Sequence, residues 1–371
     1  MLFTLKRDAL LNAVKIAGAA AAARTTKPIL SSIKAVAQDD QLILMGTDNE
    51  VGIRYELRGV KVGRAGAAIL PPMRLASILQ ETSDEEVTLN AGPEVTTIRL
   101  SSGRFELPAG TPEDFPEIPG IDETKNWHEI AAGVLKTMLK RTAFAVEKRE
   151  STRFAVTGVL WEAEAGVARL VATDTRRLAL CEGVAVVHGE TDPKGQSHLI
   201  PLKTIQLLER NLHDDGELIK VVLNSNEALF QTERAIIHTK LVEGRFPPYR
   251  SIIPKSLAIK LNIGASELLS RVRQAAIMAD VETRRVDFEF VPGSVTLTAK
   301  GAETGSGEVK MELPDYNGPT VRIAFDPNYL TDMLRAVDGE PTLTLELTDG
   351  KMPAVFRLGT QYTYLVMPLA S

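Results

Sequence analysis

A single cysteine, Cys181, occurs in 371 residues, so no intramolecular disulfide can form. That scarcity suits a reducing compartment. Within RLALCEG, Cys181 reads as a small buried apolar side chain. The histidines are His128, His188, His198, His213 and His238, and none forms an HxxxH or HExxH spacing. Without a second cysteine no zinc pattern exists either, so no metal and no cofactor are expected. Aromatic residues make up only 5% of the chain, which leaves Leu, Val, Ile and Ala to build the cores. No apolar run approaches the ~20 residues that cross a bilayer. The opening MLFTLKRDALLNAV lacks a basic start, a long apolar centre and a small-residue cleavage site. A cytoplasmic protein without membrane attachment is expected. Excess positive charge is missing as well: the net charge is −5. That average gives no hint of nucleic acid, and its distribution matters more.

What the chain does contain is repetition. LMGTDNEVGI and VATDTRRLAL each carry a Thr-Asp pair after an apolar run, beginning at Thr47 and Thr173, 126 residues apart. AAILPPMRLASILQE meets SHLIPLKTIQLLERN, with Pro71 and Pro201 130 apart. EDFPEIP meets GRFPPYRSIIP, with Phe115 and Phe246 131 apart. Three ordered matches at nearly one spacing mark a duplicated module. A weaker third copy follows: LNIGASELLSRVRQAAIMA resembles the stretches after Phe3 and His128, and VRIAFDPNYLTDMLRAV resembles the proline-and-helix segments. At the Thr-Asp position this copy carries Lys300-Gly301. Periods this long are domain duplications, not solenoid units. They predict domains at 1–125, 126–255 and 256–371.

Each copy reads strand, helix, several strands, then the same again. Residues 5–16, TIQLLERNL and YLTDMLRAV have helical periodicity. Runs such as EVTLNAG, TTIRLSS, LIKVVLN and AIIHTKLV alternate as half-buried strands do. The fold class is α+β: three tandem copies, each with two helices packed on antiparallel sheets of about eight strands.

Catalytic machinery is hard to find. ETSDEE (81–86) reads as a solvated turn between a helix and a strand, although paired carboxylates can do acid–base work or bind a hard cation. GAETGSGEVK lacks the Gly-Lys-Ser/Thr ending of a phosphate loop and lies between strand-like runs, so it reads as a hairpin turn. Asp48 and Asp174 could serve a hydrolase, but no histidine lies near them in sequence and the third copy lacks the aspartate. A turn role, with the carboxylate capping backbone N–H groups, is the simpler reading.

Charge is unevenly spread. Six helix-like stretches together carry a net +9, leaving −14 on the remainder. The densest is 134–149, with Lys136, Lys140, Arg141, Lys148 and Arg149 against Glu147. One reading is a positive face that attracts phosphates without reading bases. The other is that helices carry Lys and Arg as good formers on solvated faces.

At five places the residues match a known family. RTTKPIL (24–30), GTDNEVGI (46–53), VATDTRRLAL (171–180), KLVEGRFPPYRSIIP (240–254) and YLVMPL (364–369) resemble the bacterial DNA polymerase III beta subunits, the sliding clamps, over the whole length. The resemblance implies a head-to-tail homodimeric ring around double-stranded DNA, without catalysis and without sequence readout. It also implies short linear motifs of the replicative polymerase, clamp loader and repair proteins docking between the second and third domains. A scaffold that binds peptides but not DNA is the competing reading.

Site residues follow from the same resemblance. DNA-facing positions are Arg24, Glu150, Phe154 and Lys203, with Arg74, Lys136, Lys140 and Arg141 added on charge. The peptide pocket takes Val156, Thr173, Thr175, Arg177, Leu178, Pro247, Ile252, Val366, Met367, Pro368 and Leu369. The dimer contact takes Leu107, Ile277 and Met278. The chain departs from the family at Thr175-Arg176, where Gly-His is frequent, at Ser251, where Arg is frequent, and at a tail ending without a basic residue. Pocket shape and motif preference are expected to shift accordingly.

Overall fold

The computed structural model describes residues 1–121, 126–148, 155–164, 166–189, 198–254, 257–303 and 305–370. The chain forms two compact units. One comprises residues 1–134, 164–166 and 185–241; the other comprises 135–163, 167–184 and 242–371. Three copies thus give two units, because the middle copy contributes to both.

Seven α-helices occur among the described residues: α1 (Arg7–Ala20), α2 (Pro72–Glu81), α3 (Ala132–Thr142), α4 (Leu202–Glu209), α5 (Tyr249–Ile252), α6 (Ala265–Ala276) and α7 (Pro327–Ala336). Setting the short α5 aside, each copy has two, as its periodicity indicates. α1 buries Leu10, Ala13, Val14, Ala17 and Ala20, a stripe at helical spacing. Its small residues let the backbone approach the sheet closely. A Cβ on Gly46 would lie 2.0 Å from the Ala17 carbonyl oxygen, so only glycine fits there. α7 begins with Asp326 accepting from Asn328 N at 2.8 Å and with Pro327 in the first turn. The helical reading of 134–149 is too long. The α-helix stops at Thr142, whose hydroxyl donates to Met138 O at 2.8 Å. A 3-10 turn over Ala143–Ala145 then carries Ala145 and Val146 into the core.

The strands pair antiparallel, with side chains alternately buried and exposed. In the first unit, a five-stranded sheet runs in the order Lys61–Arg64, Leu2–Lys6, Glu86–Ala91, Val95–Arg99, Arg104–Pro108. A nine-stranded sheet joins strands of the second copy to the first. Its centre is Ala235–Lys240 against Val51–Arg58, with Ala235 opposite Tyr55 and Thr239 opposite Val51. The second unit repeats this device. Strand Arg177–Val184 of the second copy pairs with Tyr362–Val366 of the third, Arg177 opposite Val366 and Cys181 opposite Tyr362. In both places the strand that follows a Thr-Asp pair meets the last strand of the next copy.

Among the described residues, one sheet at each end of the repeat series remains without such a joint. In the first copy it ends on strand Arg104–Pro108. In the third copy a four-stranded sheet ends on strand Gly305–Leu313. That strand and Gly293–Gly301 form the hairpin expected of the Gly-rich stretch. Phe3, Trp161, Tyr362, Tyr364 and Phe356 are among the fully buried side chains. Each such side chain contributes about 2–3 kcal/mol of burial free energy.

Candidate functional site

The two Thr-Asp pairs are hairpin turns built from the same bonds. Thr47 Oγ1 donates to Val51 O (2.9 Å) and accepts from Asn49 N (3.0 Å), while Asp48 Oδ1 accepts from Glu50 N (2.9 Å) and Val51 N (2.8 Å). Thr173 Oγ1 donates to Arg177 O (2.6 Å) and accepts from Thr175 N (3.1 Å), while Asp174 Oδ1 accepts from Arg176 N (3.0 Å) and Arg177 N (2.9 Å). The third residue of each turn takes the left-handed conformation, Asn49 at φ 75° and Thr175 at φ 74°. Asparagine tolerates that region; a β-branched threonine is strained in it.

The remaining carboxylate oxygens are committed too. Asp48 Oδ2 accepts from Lys203 Nζ at 2.6 Å, and the same ammonium reaches Ala20 O at 3.0 Å. Burial alone would raise the Asp48 carboxyl, but the Lys203 bond and the backbone N–H groups outweigh it and hold the carboxyl below its usual value. Asp174 Oδ2 accepts from Arg177 Nε at 2.9 Å. Both aspartates thus do the work of turn residues, capping backbone N–H groups as their sequence setting suggests.

Arg177 is buried, and every arm of its fork is used. Besides Asp174, it donates Nη1 to Asp332 Oδ2 (2.8 Å) and Nη2 to Phe144 O (2.9 Å). Its guanidinium stacks 4.7 Å from the Tyr329 ring and 5.4 Å from the Phe144 ring. Tyr329 and Asp332 lie on α7, so one side chain ties the second copy to the third. As a pocket residue Arg177 is therefore a brace, with each of its three nitrogens bonded within the protein.

The proposed wall around it is well defined. Met367 N donates to Arg176 O (2.8 Å), Leu369 N to Ala324 O (2.8 Å), and Arg285 Nη1 to Ala370 O (2.7 Å), which fixes the tail at three points. Leu178 and Val366 are buried beside them, while Thr175 and Met367 are exposed and Pro368 is half-buried. Val156 is buried next to Ala155, whose N–H bonds Arg245 O at 3.2 Å, so the segment carrying buried Pro247 lies alongside. Ile252 at the end of α5 is exposed.

The basic candidates divide. Arg24, Lys136 and Lys140 are exposed. Lys203 is half-exposed and paired as above. Arg141 is a correction to the reading by charge. Its side chain is 12% exposed, donates to Glu340 at 2.6 Å and lies 5.8 Å from the Tyr362 ring. A guanidinium so enclosed cannot meet a phosphate. Glu150 and Phe154 lie outside the described residues.

In the first unit, Met73, Arg74, Ser77, Ile78, Phe105, Glu106 and Leu107 line a cavity of about 420 Å³. Leu107 is buried in it, whereas Met73 and Phe105 are exposed. In the second unit Ile277 is 73% exposed at the end of α6. Met278 is half-buried, and a Cβ on Gly307 would come within 2.9 Å of it.

The sequence matches the DNA polymerase III beta subunit in three consecutive parts: the N-terminal domain over residues 1–119, the central domain over 129–248 and the C-terminal domain over 250–370. The chain belongs to the DNA polymerase III beta subunit family. It is 30% identical over 371 residues to the beta sliding clamp of Chlamydia pneumoniae, covering all of this chain and 99% of that protein. The crystal structure of the DNA polymerase III subunit beta from Pseudomonas aeruginosa superposes with a TM-score of 0.89 at 26% identity, covering 100% of both chains. A sliding clamp from the same organism bound to griselimycin gives a TM-score of 0.90 at 25% identity, again over 100% of both chains. This clamp chain therefore has the three-domain α+β fold that its repeats indicate.

Sequence reasoning missed two features of the clamp. Phe105 joins Leu107 at the cavity, and it is exposed on an edge strand, which only the structure reveals. Asp332 and Tyr329 complete the Arg177 brace from a stretch 155 residues away, which no local pattern reveals. No helix among the described residues is long and apolar enough to cross a membrane.

Proposed function

We propose that two copies of this chain close head-to-tail into a ring around double-stranded DNA and tether the replicative polymerase to it. The observation that carries this reading is that two sheet edges stand where the repeat elsewhere makes a joint. Two internal joints pair the strand after the Thr-Asp turn with the last strand of the next copy. The equivalent strand of the third copy, Gly305–Leu313, and the last strand of the first, Arg104–Pro108, are both edges. Pairing them between two chains repeats the same joint and uses up both edges. Such an interface is heterologous, and it closes when the rotations complete a circle. Phe105, Leu107 and the cavity beside them offer an apolar seat for the exposed Ile277 of a second copy, with Met278 backing the contact.

In this reading the domains are 1–125, 126–255 and 256–371, and two helices from each face the DNA. Arg24, Arg74, Lys136 and Lys140 meet phosphates, with Lys203 assisting from its ion pair. The contacts are few and sequence-independent, so the ring slides, and processivity comes from topology. The clamp turns over no substrate and works in the cytoplasm. Polymerase, clamp loader and repair proteins dock through short, partly apolar peptides on the wall of Val156, Thr173, Thr175, Leu178, Pro247, Ile252 and the tail 366–369. Arg177 braces that wall from behind. A relative, the Pseudomonas aeruginosa clamp, binds griselimycin, and we take this wall as the place where such a ligand would sit on this chain.

Particle images from negative-stain electron microscopy test the assembly. Closed rings of two chains are expected, and they should open or dissociate in Ile277→Asp. Single open chains or filaments of the unaltered protein would overturn the reading.

A further inference from the structure

We propose that Glu162 is a positioning residue for the peptide-binding wall, acting through Tyr249 and Arg250 on the segment that carries Pro247 and Ile252. This rests on the reading of that wall as a peptide site.

Glu162 sits on strand Gly158–Glu164, beside Arg169 on strand Val167–Thr173, which is opposite Glu182 on strand Arg177–Val184. One oxygen of Glu162, Oε2, gathers three donors from two separate parts of the chain. They are Tyr249 Oη at 2.7 Å, Arg250 Nη2 at 2.7 Å and Arg169 Nη1 at 3.0 Å. Arg169 is held from the other side by Glu182 through Nε at 2.6 Å. Arg250 folds back on its neighbour, with Nε 3.1 Å from the Tyr249 hydroxyl and the guanidinium 5.3 Å from its ring.

Buried Phe246 and Pro247 hold the start of the segment, but its short helix has few bonds of its own. α5 is a single turn of four residues, too short to be stable by itself. Its own bonds are Ser251 N and Oγ to Pro248 O, at 3.1 and 2.8 Å, and Ile253 N to Tyr249 O at 3.3 Å. The apolar anchor is Tyr249, buried and edge-on to Phe246 at 6.3 Å. The phenol is therefore buried with its hydroxyl aimed at one carboxylate. Pro247 and Ile252 bracket Tyr249 at two residues before and three after. Whatever sets the depth and rotation of that ring sets where both side chains stand. Glu162 does so from the sheet, and its charge is matched by two arginines that would otherwise repel each other.

The test compares unaltered protein with Glu162→Gln and Tyr249→Phe, using griselimycin as the probe in calorimetric titration. Hydrogen exchange over 246–253 is measured alongside. Glu162→Gln should weaken griselimycin at least tenfold and speed exchange in that segment, while the dimer and its circular-DNA retention are unchanged. Tyr249→Phe removes one bond at little risk to folding. It should weaken the probe less, and the double substitution should be no weaker than Glu162→Gln alone. Additive losses, or full affinity in both single variants, would overturn the role of Glu162. Failure of the unaltered protein to bind the probe would instead overturn the peptide-site reading, and this proposal with it.

Discussion

The ammonium of Lys203 lies 2.6 Å from the carboxylate of Asp48, and the two belong to different copies of the repeat. The corresponding place one copy later is held by Arg177, bonded to Asp174 in its own turn and to Asp332 on α7. In each case a Thr-Asp turn is tied to the second helix of the copy that follows it, from the helix by Lys203 and from the turn's own strand by Arg177. The grips differ in chemistry. Lys203 is a half-exposed point charge; Arg177 is a buried planar fork with two rings against it.

Removing the buried grip should therefore be costly. Arg177→Ala takes the guanidinium from Asp174 Oδ2 and the Phe144 carbonyl and leaves a hole beside the Phe144 and Tyr329 rings. The expected loss is about 3–5 kcal/mol of stability, measured by urea unfolding followed by fluorescence. Arg177→Lys should recover little, because a single ammonium cannot serve Asp174, Asp332 and Phe144 O together.

Strain at Thr175 gives a prediction of opposite sign. Replacing a β-branched residue at φ 74° by glycine should stabilise the protein by about 1 kcal/mol, despite the added freedom of the unfolded chain. Asn49→Gly, at nearly the same φ, should change stability by only a few tenths of that, because asparagine already tolerates the region. Melting temperatures of the two variants decide this. Equal shifts would show that the threonine is unstrained.

Stability should also fall in mild acid through His128. Burial, aided by the nearby charge of His198, pushes His128 down to about 4. Above pH ~6.5 the residue is neutral whether folded or unfolded. Between ~6.5 and about 4 the unfolded chain takes up a proton that the folded chain refuses, so stability drops as pH falls. The full loss is about 3 kcal/mol, and it levels off below pH 4. The measurement is the pH dependence of unfolding for the unaltered protein and His128→Leu, in which this part of the slope should vanish.

Cys181 should be inert while the protein is folded. Burial pushes its thiol up to about 11, with only partial relief from Arg141. Labelling by Ellman's reagent at pH 8 should be about 100-fold or more slower than in guanidinium chloride. Comparable rates would mean that the strand pair around Cys181 opens readily.

Much of this was legible in the sequence. The Thr-Asp pairs, the paired prolines and the Phe-Pro motifs lie in local patterns, so three copies of an α+β module could be read directly. Their turn role was legible too, because Thr and Asp bond to backbone groups two to four residues away. The joints were not. Ala235 meets Tyr55 and Arg177 meets Val366 across 180 or more residues of sequence, and alternation in a strand does not name its partner. Arg141 misled for a related reason. Helical spacing puts it near Lys136 and Lys140, but Glu340 and Tyr362, which draw it inward, come from another copy. Edge exposure of Phe105 became visible only once the strand order was known.

The central claim is that a closed ring, not tight binding, holds this protein on DNA. The direct measurement is retention on a nicked circular duplex after loading, followed by gel filtration at high salt. The protein should stay with the circles and leave within the same run once a single cut linearises them. Loss from circles and linear DNA at equal rates would contradict the account.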